Sequence, residues 1–565
     1  MPGRFIILSM LILVGAAFAY LTGNSAAPLF DRDEPRYAIT SRNMLTTGDY
    51  VVPRQYDAPR TAKPPMIYWV QAASMRVFGE TSSMAARLPS SAAMLGVVVA
   101  LLLFLRGEAD EETALAATTI FAFAGLTGFL AKFAITDSVL LLSVAASMGC
   151  VYRLWRGDRG WGVVLVWAVA TGVAGLTKGP VVIGVQGMTL AALFALSLLD
   201  RKFAPVAPWW THPYPPADRK TPGATWVKLL VAGVLVLAIV LPWLVMVTQR
   251  EPEFLSKALN HDIIKRSTRG VDGQARPPGF YLLTVFGTFF PWSILIPGAL
   301  VLGWKGRHRP LTRFCLAMCV GPWVMFEAST SKMVHWFLPV FIPLSILCGE
   351  AIVRCWRGKH DEFVKTPFAV ATAVWAVATV LVGLVVWVAV RELPPTQSRV
   401  AWAMTAWGLL MAGSGGWFWV RAGLGGANSG MARRANLFRG VAAMGVMMAV
   451  LFPLVFSFVV PRLWFMQLGR SVGEDLRGRG AVGVGNVVMV GFREPSLAFY
   501  QGGTIREAET GALATTAATW ATVTQSVWSI APDAARSRWY IVSSHSGIAY
   551  ADKPEVIDVL ILRRR

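Results

Sequence analysis

The chain has 565 residues, of which 55% are hydrophobic and only 15% charged, and its mean hydropathy is +0.52. Soluble domains carry about 25% charged residues, so the composition excludes an ordinary soluble protein and points to a polytopic membrane protein. The formal charge of +21 would suit a nucleic-acid binder, but the basic residues sit in short loops between apolar runs, as in membrane proteins, and no nucleic-acid partner is expected.

Thirteen apolar runs approach the roughly 20 residues needed to cross about 30 Å of hydrocarbon. They lie near 5–22, 84–105, 113–131, 134–152, 161–177, 179–199, 226–248, 280–303, 311–328, 334–353, 367–390, 400–420 and 440–460. The first has signal-peptide features, with Arg4, an apolar stretch and Ala17-Phe18-Ala19. It is read as an uncleaved span because of the loop charges. With the N-terminus inside, the inner junctions collect Arg153, Arg156, Arg159, Arg201, Lys202, Lys305, Arg307, Arg309, Arg313, Arg354 and Arg357. The short outer junctions hold few basic residues, as the positive-inside rule requires. Removing the first span would invert every loop.

Three segments then fall outside: 23–83, 249–279 and everything beyond about 462. The expected organisation is a transmembrane region, 1–462, and a small outer α/β domain, 463–565. In the latter, 481–492, 538–546 and 556–562 read as strands. Cys150, Cys315, Cys319, Cys348 and Cys355 lie in or beside apolar runs, so neither a disulfide framework nor a cysteine metal cluster is expected.

The segment from Asp31 to Arg87 is dense in charge between two apolar runs. Charges so placed must sit in water or line a cavity. Asp31, Asp33 and Glu34 crowd three carboxylates into four residues, with Arg36 and Tyr37 after them. Such a cluster persists where it binds a cation, pairs with bases or moves protons. Lys63-Pro64-Pro65 fixes a cation before MIYWVQAASMRVF, which reads as an interfacial helix. Further outer junctions carry Lys132 to Asp137, Thr177-Lys178-Gly179-Pro180 and Ser329 to His335, and the second outer loop carries His261, Asp262, Lys265 and Arg266. One lysine at a span end is usually a snorkelling anchor. Several outer cations beside carboxylates suit a phosphate partner. No GxxxxGK[ST], strand-preceded GxGxxG or HExxH occurs, so no cytosolic nucleotide donor is expected.

DRDEPRYA (31–38), KPPMIYW (63–69), FGETSSMAARLP (78–89), Asp137, TKGP (177–180), Asn260-His261 with Arg266, SKMVHWFLP (331–339) and REPSLAFY (493–500) resemble the bacterial lipid A aminoarabinose transferases. They also resemble the wider protein mannosyltransferase-like membrane enzymes. The resemblance implies the GT-C fold, an α-helical polytopic membrane protein of about thirteen transmembrane helices. It implies transfer of a sugar from a polyprenyl-phosphate carrier to a lipid or glycan acceptor, with inversion, by a monomer at the periplasmic face of the bacterial inner membrane. It assigns Asp33, Glu34 and Asp137 to catalysis. Carrier binding falls to Lys63, Lys178, Arg266, Lys332, Arg36 and Trp336, the last where the family usually has Tyr. His261 matches a position near a divalent metal, but Ala62 replaces the Glu that ligates it, so the metal stays an open expectation. Arg60 stands where an aromatic residue is common. A protein O-mannosyltransferase is the nearest alternative. A flippase or transporter is a second, and would be expected to carry its charges near the bilayer midplane.

Overall fold

In the computed structural model the described residues are 2–31, 33–203, 222–265, 268–269, 274–357, 377, 430–550 and 555–565. Among them, nine helices are long and apolar enough to cross a membrane. Nine of the thirteen expected runs correspond to these. Two others are broken. The run at 113–131 divides into α5, Glu111–Ala122, and α6, Gly125–Leu130, and the run at 280–303 divides into Phe280–Thr288, Trp292–Leu295 and Ile296–Lys305. The runs at 367–390 and 400–420 lie outside the described residues.

The remaining helices of the first half, α2 apart, follow the hydropathy closely. They are α1, Pro2–Leu21; α2, Asp33–Thr47; α3, Met66–Phe78; α4, Ser83–Glu108; α7, Thr136–Trp155; α8, Trp161–Lys178; α9, Val181–Phe203; and α10, Pro222–Arg250. Caps set several boundaries. The Ser82 side chain accepts from the Ala85 N–H at the start of α4, and Asp110 accepts from Thr113 N–H at the start of α5. Gly179, at φ +63°, ends α8 immediately after Lys178, a conformation glycine adopts without steric cost.

The first outer segment is more ordered than a loop. Residues 33–47 form α2, which the hydropathy pattern does not predict. Pro35 is tolerated because it falls in the first turn, where its missing N–H would have no helical partner. A short hairpin, β1 Arg54–Gln55 with β2 Ala58–Pro59, follows. Then α3 begins directly after Pro64-Pro65, as expected. It buries Ile67, Tyr68, Gln71, Ala72 and Met75, one face at helical spacing, against α2 and α4. Gln71 joins three elements: it accepts from the Ser41 hydroxyl (2.9 Å) and donates to the carbonyls of Ala86 (3.1 Å) and Ala134 (3.2 Å).

The C-terminal region contains a five-stranded sheet in the order β4-β3-β5-β7-β6: β3 Val487–Val490, β4 Arg506–Glu507, β5 Trp520–Thr524, β6 Trp539–Ile548 and β7 Val556–Arg564. Strands β4, β3 and β5 run parallel; β7 is antiparallel to β5 and to β6. The three expected strands are present, and β4 and β5 are additional. Both faces are covered. Met489, Val559 and Ile561 pack with Leu468, Val472, Leu476 and Leu497, while Val490, Val523 and Leu560 pack with Leu513 and Trp539.

Candidate active site

The site is assembled at one end of the bundle by helix polarity. Helices α7 and α8 are consecutive and packed together, so the N-terminus of α7 and the C-terminus of α8 lie at the same end. Asp137 occupies the first turn of α7 and Lys178 the last residue of α8. Each charge is favoured by the dipole of its own helix end. The two meet: Lys178 Nζ donates to Asp137 Oδ1 at 2.7 Å, with Asp137 only 6% exposed. The helices Pro310–Ala328 and Leu338–Trp356 form a second hairpin whose connecting turn, Val334–Phe337, carries His335. His335 Nε2 stands 3.8 Å from Asp137 Oδ2.

The polar segment between α1 and α4 brings further charges to this pair. Lys63 lies within electrostatic reach of both Asp137 and His335, and its Nζ donates to the Ala62 carbonyl at 2.9 Å. Asp33 is exposed in the first turn of α2 and acts on His335, Tyr37 and Arg60. Arg60 is held by aromatic residues. Its Nε donates to the Tyr68 hydroxyl at 3.0 Å, an Nη donates to Gln55 Oε1 at 2.8 Å, and the guanidinium lies 5.0 Å over the Tyr37 ring. Tyr37 and Tyr68 stack at 5.7 Å. Burial pushes the Tyr37 phenol well above its usual pKa, and the nearby carboxylates add to the effect, so it stays neutral.

The structure thus gathers Asp33, Asp137, Lys63 and Lys178 from the sequence expectation. It adds His335 and Arg60, which stand out in the sequence without being assigned to the site there. The available signal is the ionisable junction 329–335 and the unusual arginine two residues before Ala62.

Two expected site residues have other work. The sequence expectation puts Glu34 beside Asp33 in catalysis, but Glu34 is wholly buried and both its oxygens are occupied. Oε1 accepts from Arg87 Nε (2.9 Å) and Ala134 N–H (2.7 Å); Oε2 accepts from an Arg87 Nη (2.8 Å) and Phe30 N–H (2.9 Å). Arg87 also donates to the carbonyls of Asn24, Ala27 and Pro28. Adjacent helical residues point about 100° apart, so Asp33 and Glu34 cannot both face the site. Lys332 is expected on the phosphate, but it is 3% exposed and its Nζ donates to the Arg276 carbonyl at 3.0 Å, tying 274–276 to the bridged segment at Ser331. Arg36 is half-buried beside Tyr56, which also feels Asp31 and Arg506. Trp336 is half-buried in the turn that carries His335 and packs on the main core. Arg266 lies outside the described residues. His261 sits in the Ala258–Lys265 helix, and its side chain lies outside them too.

Among the described residues, the donor set around Asp137 does not fit a divalent cation. No group of three His, Cys, Asp or Glu side chains that would hold a metal occurs among the described residues. Asp137 faces two lysines and a histidine, which is a setting for an anion rather than for a metal.

Comparison with solved structures bears on the fold directly. The chain superposes on the crystal structure of ArnT from Cupriavidus metallidurans bound to undecaprenyl phosphate with a TM-score of 0.72, at 20% identity, over 99% of this chain and 98% of that one. The fold is GT-C. Residues 8–256, within the GT-C membrane region, match the dolichyl-phosphate-mannose-protein mannosyltransferase family. The undecaprenyl phosphate-alpha-4-amino-4-deoxy-L-arabinose arabinosyl transferase of Pseudomonas paraeruginosa is 32% identical over 359 residues, covering 61% of this chain and 60% of that protein. The transferase 2 of that name from Proteus mirabilis is 27% identical over 361 residues, covering 62% and 60%. The chain therefore spans about 60% of the length of the curated relatives it matches.

Proposed function

We propose that the chain is an inverting glycosyltransferase. It moves a sugar from a polyprenyl-phosphate carrier to an envelope acceptor such as lipid A or another glycolipid or glycan. The work would be done at the periplasmic face of the bacterial inner membrane, with 1–462 as the catalytic membrane region and 463–565 as an outer domain. The observation that carries this reading is the convergence of Lys63, Lys178 and His335 around Asp137 at the helix ends, with exposed Asp33 beside them. The names of the relatives point the same way.

The chemistry follows from charge. The carrier phosphate leaves as an already stable anion, so a strong general acid is not needed. Lys63 and Lys178 stabilise the negative charge that develops on its oxygens, in a partly shielded site where each cation counts for more than in water. Asp137 positions Lys178, because its carboxylate fixes the ammonium at 2.7 Å. Asp33, exposed at the start of α2, receives the proton of the acceptor hydroxyl or orients it. Direct attack on the anomeric carbon from the face opposite the phosphate inverts its configuration.

The test is to incubate the purified protein with candidate polyprenyl-phosphate sugars and acceptors and read the lipid products by mass spectrometry. Consumption of one donor, lost in Asp33→Asn with carrier binding retained, supports the reading. A protein that consumes no such donor, or an Asp33→Asn variant that transfers normally, would overturn it.

A further inference from the structure

The segment that delivers Asp33 is gripped from two sides. On the membrane side, Glu34 and Arg87 hold it through the pair and the three carbonyls described above. On the other side, a set of hydrogen bonds comes from the C-terminal region. The Leu29 N–H donates to the Tyr500 hydroxyl at 2.9 Å, and the Asp31 N–H donates to the Tyr550 hydroxyl at 2.9 Å. The Asp31 carboxylate accepts from the Ser496 N–H at 2.9 Å and from the Ser496 hydroxyl. Arg470 donates to the Ala26 carbonyl at 2.9 Å. Apolar packing reinforces these bonds: Leu29, Ala38 and Ile39 share one buried cluster with Leu468, Val472, Leu497, Ala498 and Phe499. The grip leaves little slack. A Cβ on Gly469 would meet Ser496 Oγ at 1.9 Å, so the helix Leu468–Gly478 is pressed against the serine that holds Asp31.

Asp31 is two residues from Asp33, and the chain enters α2 between them. Fixing the backbone at Leu29, and both the backbone and the carboxylate of Asp31, therefore fixes where the first turn of α2 begins. A shift of about 1 Å in a reacting group is enough to cost orders of magnitude in rate.

We propose that the C-terminal domain is a positioning element of the active site, in which Ser496, Tyr500 and Tyr550 set the place of Asp33. This inference rests on the reading of Asp33 as the group that receives or orients the acceptor proton. In this role the three residues act through the 29–31 backbone and the Asp31 carboxylate. A purely structural domain would instead affect carrier binding and turnover together, or neither.

The experiment uses the full-length protein in nanodiscs and two variants, Ser496→Ala and Tyr500→Phe. Transfer is followed as kcat and KM for the acceptor, and undecaprenyl phosphate is the probe for carrier affinity. The expected result is a fall of about tenfold in kcat for Ser496→Ala and Tyr500→Phe, with carrier affinity within about twofold of the parent, because Lys63 and Lys178 are untouched. Ser496→Ala keeps the backbone bond to Asp31, so it is the milder variant and tests the idea if Tyr500→Phe fails to fold. Parental turnover in both variants overturns the inference. So does a matched loss of carrier affinity. Asp33→Asn run alongside separates the two levels. If it is inactive while Ser496→Ala and Tyr500→Phe are normal, only the positioning role falls; if it transfers normally, the reading of the site falls and this inference with it.

Discussion

Lys178 Nζ lies 2.7 Å from Asp137 Oδ1, although 41 residues separate them in sequence. The α7–α8 hairpin brings an anion-favouring helix start and a cation-favouring helix end to one place, and two opposite charges fill them. The pair is nearly closed to solvent on the Asp137 side, so it holds the lysine in one orientation rather than letting it sweep the surface.

Removing that cation should act mainly on transfer, because Lys63 and His335 remain beside the buried Asp137 carboxylate. Lys178→Met is expected to lower kcat/KM by about 10²–10³, the usual effect of deleting one preorganised charge-stabilising group. Asp137→Asn should give a smaller loss, since the ammonium remains but is no longer fixed. Steady-state kinetics on detergent-purified protein, with thermal unfolding as control, would check this. Equal rates in parent and Lys178→Met would remove Lys178 from the mechanism.

Glu34 and Arg87 predict the opposite pattern. Both side chains are fully buried and joined at 2.8 Å, so deleting one leaves an uncompensated buried charge. Arg87→Met is expected to cost about 3–5 kcal/mol. The double change Glu34→Gln with Arg87→Met should recover part of the loss. Thermal scans of the four-protein cycle measure the coupling, and additive losses would show that the pair is not the unit of stability.

The Tyr68 hydroxyl accepts from Arg60 Nε at 3.0 Å. Tyr68→Phe removes that bond and leaves the guanidinium its Gln55 bond and the Tyr37 ring. A loss of about 1.5–3 kcal/mol is expected for a bond to a charged group. The expected readout is a lower midpoint in thermal unfolding, together with a rise in acceptor KM if Arg60 faces the acceptor. An unchanged midpoint would mean that a water replaces the hydroxyl.

Asp475 makes the C-terminal region acid-sensitive. Burial alone would raise its pKa, but hydrogen bonds from Ser543, Arg479 and His545 outweigh that and hold it down to about 2 from 3.8. A depressed folded-state pKa stabilises the fold above the unfolded value. The contribution is therefore complete above about pH 3.8 and is lost as pH falls through about 2. Parent and Asp475→Asn should differ in stability at pH 6 and converge between about pH 4 and pH 2. A difference that persists unchanged at pH 2 would contradict the assignment.

Much of this was legible in the sequence because hydropathy and charge are local. Runs of apolar residues show where the chain crosses a membrane. The ionisable junctions marked the end of the bundle where charge collects, since the cations Lys63 and Lys178 and the carboxylate Asp137 each sit beside the start or end of a helix. The apolar run in 556–562 marked β7, whereas the two-residue β4 is too short to carry a pattern.

Partner choice was not legible. Asp33 and Glu34 are chemically alike and adjacent, and nothing local says that one is exposed while the other is sealed against Arg87. The same holds for Lys178 and Lys332: both lie in a short junction between two apolar runs, yet one meets a carboxylate and the other a backbone carbonyl. By itself, then, the sequence determined the membrane class, the order of the spans and the end of the bundle where charge collects. Only the tertiary structure decided which charges face one another, that His335 joins them, and that Ser496 and Tyr500 reach back more than four hundred residues to hold the approach to Asp33. The physical reason is that a buried charge is stabilised by whatever packing brings within about 3 Å, and that distance is set by the whole fold.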